Sequence, residues 1–255
     1  MMKKTLVIIC VIFLASCKKE VKSTHTSKSS ITEEKVAYPS EISRIFDAHG
    51  RLSSWKKLHT LSFNKGEEVH TVDLKSRKTV INTPKYSLGF NGKDVWLHET
   101  ENNSFKSNKD FYYNLYFYFY AMPFVLADDG ITYEKVDDLV FEGNHYPGFK
   151  ISYALNVGTS PDDNYIVYYN PKTHQMEWLA YTVTFNSKKK SDDYHLIKYD
   201  VWENVDGILL PKEIVWFTTN AKGNPIKPSK KPVKFSLPLI STEKLDAAFF
   251  EKPVK

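Results

Sequence analysis

Cysteine is scarce: the 255 residues contain two, Cys10 and Cys17. Everything after Cys17 lacks a thiol, which excludes internal disulfides, a cysteine nucleophile and thiolate metal sites from that part of the chain. Long hydrophobic runs are missing as well. The one apolar stretch, Leu6 to Ala15, is about half the length of the roughly 20 residues a membrane-spanning helix needs. Excess charge is small, since 35 Lys and Arg face 30 Asp and Glu for a formal +5. That balance is too mild for a nucleic-acid-binding chain. Catalytic fingerprints are absent too. There is no His-Glu-x-x-His, no Gly-x-Ser-x-Gly elbow, no phosphate loop and no dinucleotide motif. The acids around Gly130 lack the ligand spacing of a calcium loop. His59, His70 and His98 fall on neighbouring predicted strands without forming a ligand pattern. The expectation is a non-enzymatic protein without metal or cofactor.

The N-terminus carries the clearest signal. Lys3 and Lys4 precede the short apolar run, as in a secretory signal peptide. The run ends in Leu14-Ala15-Ser16-Cys17, which resembles the lipobox of bacterial lipoproteins. That resemblance implies a signal peptide over residues 1–16, with Cys17 as the lipidated residue. Removing Lys3 and Lys4 takes the +5 to +3. Residues 17–37 then read as the lipidated cysteine and a disordered tether rich in Lys, Ser, Thr and Glu. About 20 such residues reach roughly 25 Å. A single body over residues 38–255 is expected to stay in the cell envelope, anchored to a membrane, with the outer membrane favoured. Basic clusters at residues 188–190 and 227–232 suit a solvated hairpin tip and a proline-stiffened loop. Contact with anionic headgroups is the sharper alternative.

The body reads as mainly β. Pro39-Ser40-Glu41 opens an amphipathic helix with Ile42, Ile45 and Phe46 on one side, closed by His49-Gly50. A second turn holds Leu52 and Trp55. Strands are then predicted over 58–63, 69–74, 78–82, 86–90 and 94–98. Further strands are predicted over 133–142, 149–156, 164–169, 175–185, 194–205 and 208–219. Asn91-Gly92 and Asp206-Gly207 are hairpin signals, because both positions tolerate positive φ. Consecutive strands on short turns must be antiparallel. The expected architecture is one curved antiparallel sheet, a half-barrel wrapped around helical segments.

The wrapped element is expected at 111–126. Its alternating aromatics also fit a strand, but its length and the capping-box spacing of Ser107 to Asp110 favour a helix. Such a helix would place Phe111, Leu115, Tyr118, Phe119 and Met122 on one side. Tyr113, Tyr116, Phe117 and Tyr120 would lie on the other, so the helix would be buried all round. Phe111, Leu115, Tyr116, Phe119, Tyr120 and Met122 are the candidate lining of a ligand cavity. Paired acids at 128–129, 137–138, 162–163 and 192–193 assemble no catalytic pair in this reading. Neighbours in a strand point to opposite faces, and loop acids are usually solvated.

Three motifs carry a further resemblance: Ala48-His49-Gly50 with Trp55, Met122-Pro123-Phe124, and Tyr199 with Val205-Asp206-Gly207-Ile208-Leu209-Leu210-Pro211-Lys212. In this order they resemble a family of uncharacterised flavobacterial-type lipoproteins, a domain of unknown function. The architecture resembles the LolA/LolB lipoprotein-carrier fold, which implies an acyl-chain-sized cavity between sheet and helix. The sixteen tyrosines and five tryptophans suit either a large packed core or a ligand-lined groove. Two readings therefore stand beside each other. One is a monomeric, lipid-anchored module that binds an acyl chain or a lipoprotein. The other is a structural or partner-binding envelope lipoprotein with a filled core. A hydrolase with an unrecognised site is the third.

Overall fold

A computed structural model describes residues 38–128, 130–153, 163–185, 187 and 189–253. The predicted signal peptide, Cys17 and the tether lie outside these residues. Helix α1 (Ser40–Ala48) buries Ile42, Ile45 and Phe46, the side its periodicity selects. It stops where Gly50 takes φ +107°, letting Arg51 N–H reach the Phe46 carbonyl at 2.9 Å. The turn α2 (Leu52–Trp55) follows and buries Trp55.

Five strands come next: β1 (Thr60–Lys65), β2 (Glu68–Asp73), β3 (Thr79–Asn82), β4 (Tyr86–Phe90) and β5 (Val95–Glu99). They pair antiparallel in chain order. The second half supplies β6 (Ile131–Phe141), β7 (Asn144–Tyr153), β8 (Tyr165–Tyr169), β9 (Met176–Tyr181), β10 (His195–Val205) and β11 (Ile208–Thr219). Three short C-terminal strands complete the set, β12 (Pro225–Pro228), β13 (Val233–Lys234) and β14 (Ser236–Ser241). The mainly β, antiparallel half-barrel is as expected, with hydrogen bonding in two ladders where the sequence suggested one. A six-stranded sheet runs β14-β1-β2-β3-β4-β5, and an eight-stranded one groups β12-β11-β10-β9-β8-β7-β6 with β13 beside β11. The division falls where the chain leaves β5 for its helical segment. The return of β14 to β1, Ser241 opposite Thr60, is a pairing that no local pattern announces. Part of the supposed 227–232 loop is also ladder, with Lys227 opposite Thr218.

Turn chemistry explains the hairpins. Asp206 and Gly207 both take positive φ, 48° and 87°, as do Glu142 and Gly143 at 49° and 78°. This matches the right-handed twist of the strands they join. Asn91-Gly92 turns differently. Gly92 alone of the two has positive φ, while the Asn91 side chain accepts from Lys93 N–H and Asp94 N–H at 3.0 and 2.9 Å.

One core joins both sheets. Leu61, Phe63 and Val72 from the first meet Phe149, Ile151, Val167, Leu179, Ile197, Tyr199 and Ile214 from the second. The three motifs singled out in the sequence converge inside it. Trp55 stacks on Phe124 with ring centres 4.6 Å apart, and His49 packs edge-on against Trp202 at 4.6 Å. The His49 carbonyl accepts Leu209 N–H at 2.9 Å, and Tyr199 Oη donates to the Phe119 carbonyl at 3.0 Å. These scattered signatures are one structural joint, seen in sequence as separate words.

His49 also gives the fold a pH dependence. Burial pulls its pKa from 6.5 to about 4, partly opposed by the 2.8 Å contact of Nδ1 with the Ile45 carbonyl. Between those values the unfolded chain binds the proton more tightly, so stability falls as pH falls. The His49 contribution is complete above about pH 6.5 and lost towards pH 4, a change of about 3 kcal/mol. Urea unfolding at pH 7, 5.5 and 4.5 should show this slope in the wild type and a flatter one in His49→Gln. Equal slopes would exclude His49 as its source.

Candidate functional site

The segment expected as one helix is broken into shorter pieces. Helix α3 (Lys109–Tyr112) is followed by α4 (Leu115–Tyr120) and by a 3-10 turn over Phe124–Ala127. Asn108, not Ser107, caps α3, its side chain accepting Asp110 N–H at 2.9 Å. Aromatic residues lose side-chain freedom in a helix. Each short piece is held by what its rings meet on the surrounding sheets, which outweighs continuity of the helix.

The six candidate lining residues separate by depth. Tyr120 and Met122 are fully buried. Tyr120 stacks on Phe63 at 4.1 Å and tilts against Phe235 at 4.7 Å. Phe119 is buried but lies towards a half-buried border, edge-on to Tyr181 at 5.1 Å and to Trp216 at 5.8 Å. Leu115 and Tyr116 are half-buried against the same core. Phe111 stands apart, tilted over Phe185 at 5.2 Å. The structure therefore sets Tyr116 and Tyr120 against Phe235, with Phe119 against Tyr116, and leaves Phe111 outside that group. Sequence reasoning missed Tyr181, Trp216 and Phe235, which come from three distant strands or their flanks. Trp216 Nε1 donates to Tyr181 Oη at 2.9 Å, which orients both rings. Two lysines flank the border, with Lys65 Nζ 4.4 Å from the Tyr116 ring centre and Lys230 Nζ 5.7 Å from that of Trp216.

Beside Tyr116, a charged cluster ties α3 to the six-stranded sheet. The Glu68 carboxylate accepts from Tyr112 Oη at 2.7 Å, Tyr86 Oη at 2.8 Å and His70 Nε2 at 2.9 Å. Lys65 Nζ lies 3.0 Å away. Burial works to raise the Glu68 pKa. The hydrogen bonds from His70 and Tyr112 and the charge of Lys65 outweigh it and hold the group at about 2. Burial, followed by the Glu68 charge, pushes the Tyr112 hydroxyl well above its ordinary range. His70 is thus engaged by Glu68. Among the described residues no three His, Cys, Asp or Glu side chains group closely enough to hold a metal ion.

Two of the described paired acids, Asp163 and Asp128, depart from their expected solvated role, while Asp137, Asp138, Asp192 and Asp193 are exposed as expected. Asp163 is buried and accepts both the backbone N–H and the hydroxyl of Thr184 at 2.7 Å. Asp128 pairs with Arg77 at 2.5 Å. The β6–β7 register shifts between Val136 and Leu139, so Asp137 and Asp138 do not simply alternate across the sheet. Both line a cavity of about 480 Å³, together with Asp192 and Asp193. Asp129 and Asp162 lie outside the described residues.

Comparisons with known proteins place this geometry in context. No curated protein matches the chain. Among solved structures, it is similar to the LolA superfamily protein NE2245 of Nitrosomonas europaea. That match has 8% identity and a TM-score of 0.37, covering 76% of this chain and 87% of that one. A DUF1329 family protein of Desulfovibrio piger gives 11% identity and a TM-score of 0.41 over 83% of this chain and 97% of that one. A domain assigned to outer membrane lipoprotein sorting, from Vibrio parahaemolyticus, gives 7% and 0.35 over 80% and 96%. A family model matches residues 3–223, a span that includes all three motifs. The chain belongs to DUF6503, a family of unknown function.

Proposed function

We propose that this protein is a lipid-anchored envelope module that binds an acyl chain, free or carried on a lipoprotein, without catalysing a reaction. The carrying observation is the aromatic border. Rings run from the closed core at Phe63, Tyr120 and Phe235 to the half-buried Tyr116, Tyr181 and Trp216. Apolar rings suit a hydrocarbon chain, and Lys230 beside Trp216 suits an anionic head. Anchoring rests on the Leu14-Ala15-Ser16-Cys17 pattern. No helix among the described residues is long and apolar enough to cross a membrane.

The test uses Trp216. Titrating the full-length protein with bromine-labelled palmitate should quench tryptophan fluorescence saturably, and Trp216→Phe should remove most of that signal. Tyr116→Ala with Trp216→Ala should weaken binding about ten-fold or more through lost apolar contact. Native mass spectrometry should also find lipid carried through purification. No saturable quenching together with a lipid-free mass would sink the proposal in favour of a filled structural core.

A further inference from the structure

We propose that the rim formed by residues 225–241 docks on an anionic lipid bilayer, with Leu237 and Leu239 entering the headgroup layer among lysines. Both β12 and β13 pair with β11, Lys227 opposite Thr218 and Lys234 opposite Glu213. The chain then crosses to the other sheet, where β14 is the last strand beyond β1. One stretch of chain therefore supplies a margin to each sheet. The inference rests neither on the acyl-chain reading nor on a lipid at Cys17.

Three observations meet on this rim. The first is charge. From Pro225 to Ser241 the chain carries Lys227, Lys230, Lys231 and Lys234, all exposed, and no acid. Glu213 faces Lys234 at 3.9 Å and offsets one of them. The second is apolar exposure. Leu237 is 74% exposed, Ile226 56% and Leu239 54%, the three most exposed large apolar side chains among the described residues. Such residues are ordinary when scattered singly, but here they share one short stretch with the lysines. Leu239 lies opposite Ser62, on the face turned away from the buried Leu61 and Phe63. The third is backbone conformation. Leu237 takes φ +50° where the β1–β14 ladder shifts between Ser62 and Asn64. Leucine is uncommon in that region. The side chain it presents is in solvent, so no burial offsets the strain.

The occupant follows from what the rim offers and what it withholds. Pro225, Pro228, Pro232 and Pro238 have no N–H to donate. Proline along a sheet margin works against the addition of another strand, so a partner that pairs by its backbone is poorly received. A bilayer surface asks for no backbone pairing. Leucine side chains enter the boundary between headgroups and acyl chains, and lysine stems lie beside them with the ammonium at the phosphates. The lysines select anionic over zwitterionic lipid, because each basic residue near such a surface adds attraction. A nucleic acid would use the charge but leave Leu237 and Leu239 without a role.

Fluorescence of a labelled full-length chain tests the proposal. Cys10→Ser and Cys17→Ser remove the native thiols and prevent acylation, and Leu237→Cys then carries an environment-sensitive bimane. Vesicles of phosphatidylcholine mixed with phosphatidylglycerol, at about 0.15 M salt, should move its emission to shorter wavelength. Spin-labelled lipid in the same vesicles should quench it. The same label at Lys172→Cys, in the exposed turn after β8, should not respond. Residues 6–15 remain in every variant, so the readout is the difference between the two labels. Phosphatidylcholine alone should leave the label at 237 unshifted. Lys227→Gln, Lys231→Gln and Lys234→Gln together should weaken the response about ten-fold or more, with palmitate binding unchanged. No shift at 237, equal shifts at both labels, or an equal response in phosphatidylcholine alone or in the lysine variant would overturn the proposal. Cross-linking from position 237 to one protein in cells, with no response to vesicles, would overturn it in favour of a protein partner. Should the lysine variant fail to fold, salt decides. The response should vanish at about 1 M, and its persistence there would overturn the proposal. Loss of palmitate binding with the vesicle response intact would leave the docking surface standing, so the two proposals fail separately.

Discussion

Replacing Gly50 by alanine is expected to destabilise the protein by about 4 kcal/mol or more, among the largest effects of a single methyl group. Two independent costs combine at this position. Gly50 holds φ +107°, a conformation that residues with a Cβ rarely adopt. The added carbon would also lie 2.1 Å from the Gly207 carbonyl oxygen and 2.9 Å from Ile208 Cα. Both obstacles are backbone, so no rotamer change relieves them. The hairpin carrying Gly207 would have to move from α1, breaking the Leu209 to His49 hydrogen bond and the His49–Trp202 contact. Gly207→Ala is the matched control. It also has positive φ, 87°, yet nothing lies within 4 Å of its added carbon. Its cost should stay near 1 kcal/mol, roughly the conformational term alone. Chemical denaturation of the two variants measures the difference. Similar losses in both would mean that the Gly50–Gly207 approach is not tight.

Removing the Glu68 carboxylate is the second large effect. Glu68→Ala should cost about 3–5 kcal/mol, the usual penalty for breaking a buried ionic network from one side. It leaves Lys65 without its counter-ion and the hydroxyls of Tyr86 and Tyr112 without their acceptor. Tyr86→Phe and Tyr112→Phe each remove one donor while leaving the acid its other partners, so each should cost about 1 kcal/mol. The pH dependence has a definite sign. The folded-state pKa of about 2 lies below the ordinary 4.5, so between those values the unfolded chain binds more protons. The Glu68 contribution is complete above about pH 4.5 and is lost as pH falls towards 2. Glu68→Gln should therefore unfold with a shallower acid dependence than the wild type in that window. An unchanged acid profile would show that the cluster does not carry this stability.

These two sites show how unevenly the sequence exposes its structure. The α1 boundaries, Asp206-Gly207 and the alternating strands were legible because each is decided within a few residues by periodicity, φ tolerance and capping. The aromatic segment was legible as buried and broadly helical. It was not legible as separate pieces, because rings from distant strands hold each piece. Of its six proposed lining residues, the structure groups Tyr116, Phe119 and Tyr120. Tyr181, Trp216 and Phe235 join them only through sheet pairing. The acids at 137 and 138 carried a misleading signal. Strict alternation separates neighbours, and the register shift in β6 removes that alternation.

By itself, then, the sequence determined class and local form: a β-rich, antiparallel body without a thiol beyond Cys17, its helix ends and its tight turns. The tertiary structure decided which distant segments touch. It placed β14 beside β1, Gly50 against Gly207, Glu68 under two tyrosines and two acid pairs around one cavity. The physical reason is the range of the forces involved. Backbone sterics and side-chain periodicity act between near neighbours, so they are written in short stretches of sequence. Close approach, charge clusters and strand closure join residues far apart in the chain, and they exist only once the whole body has packed.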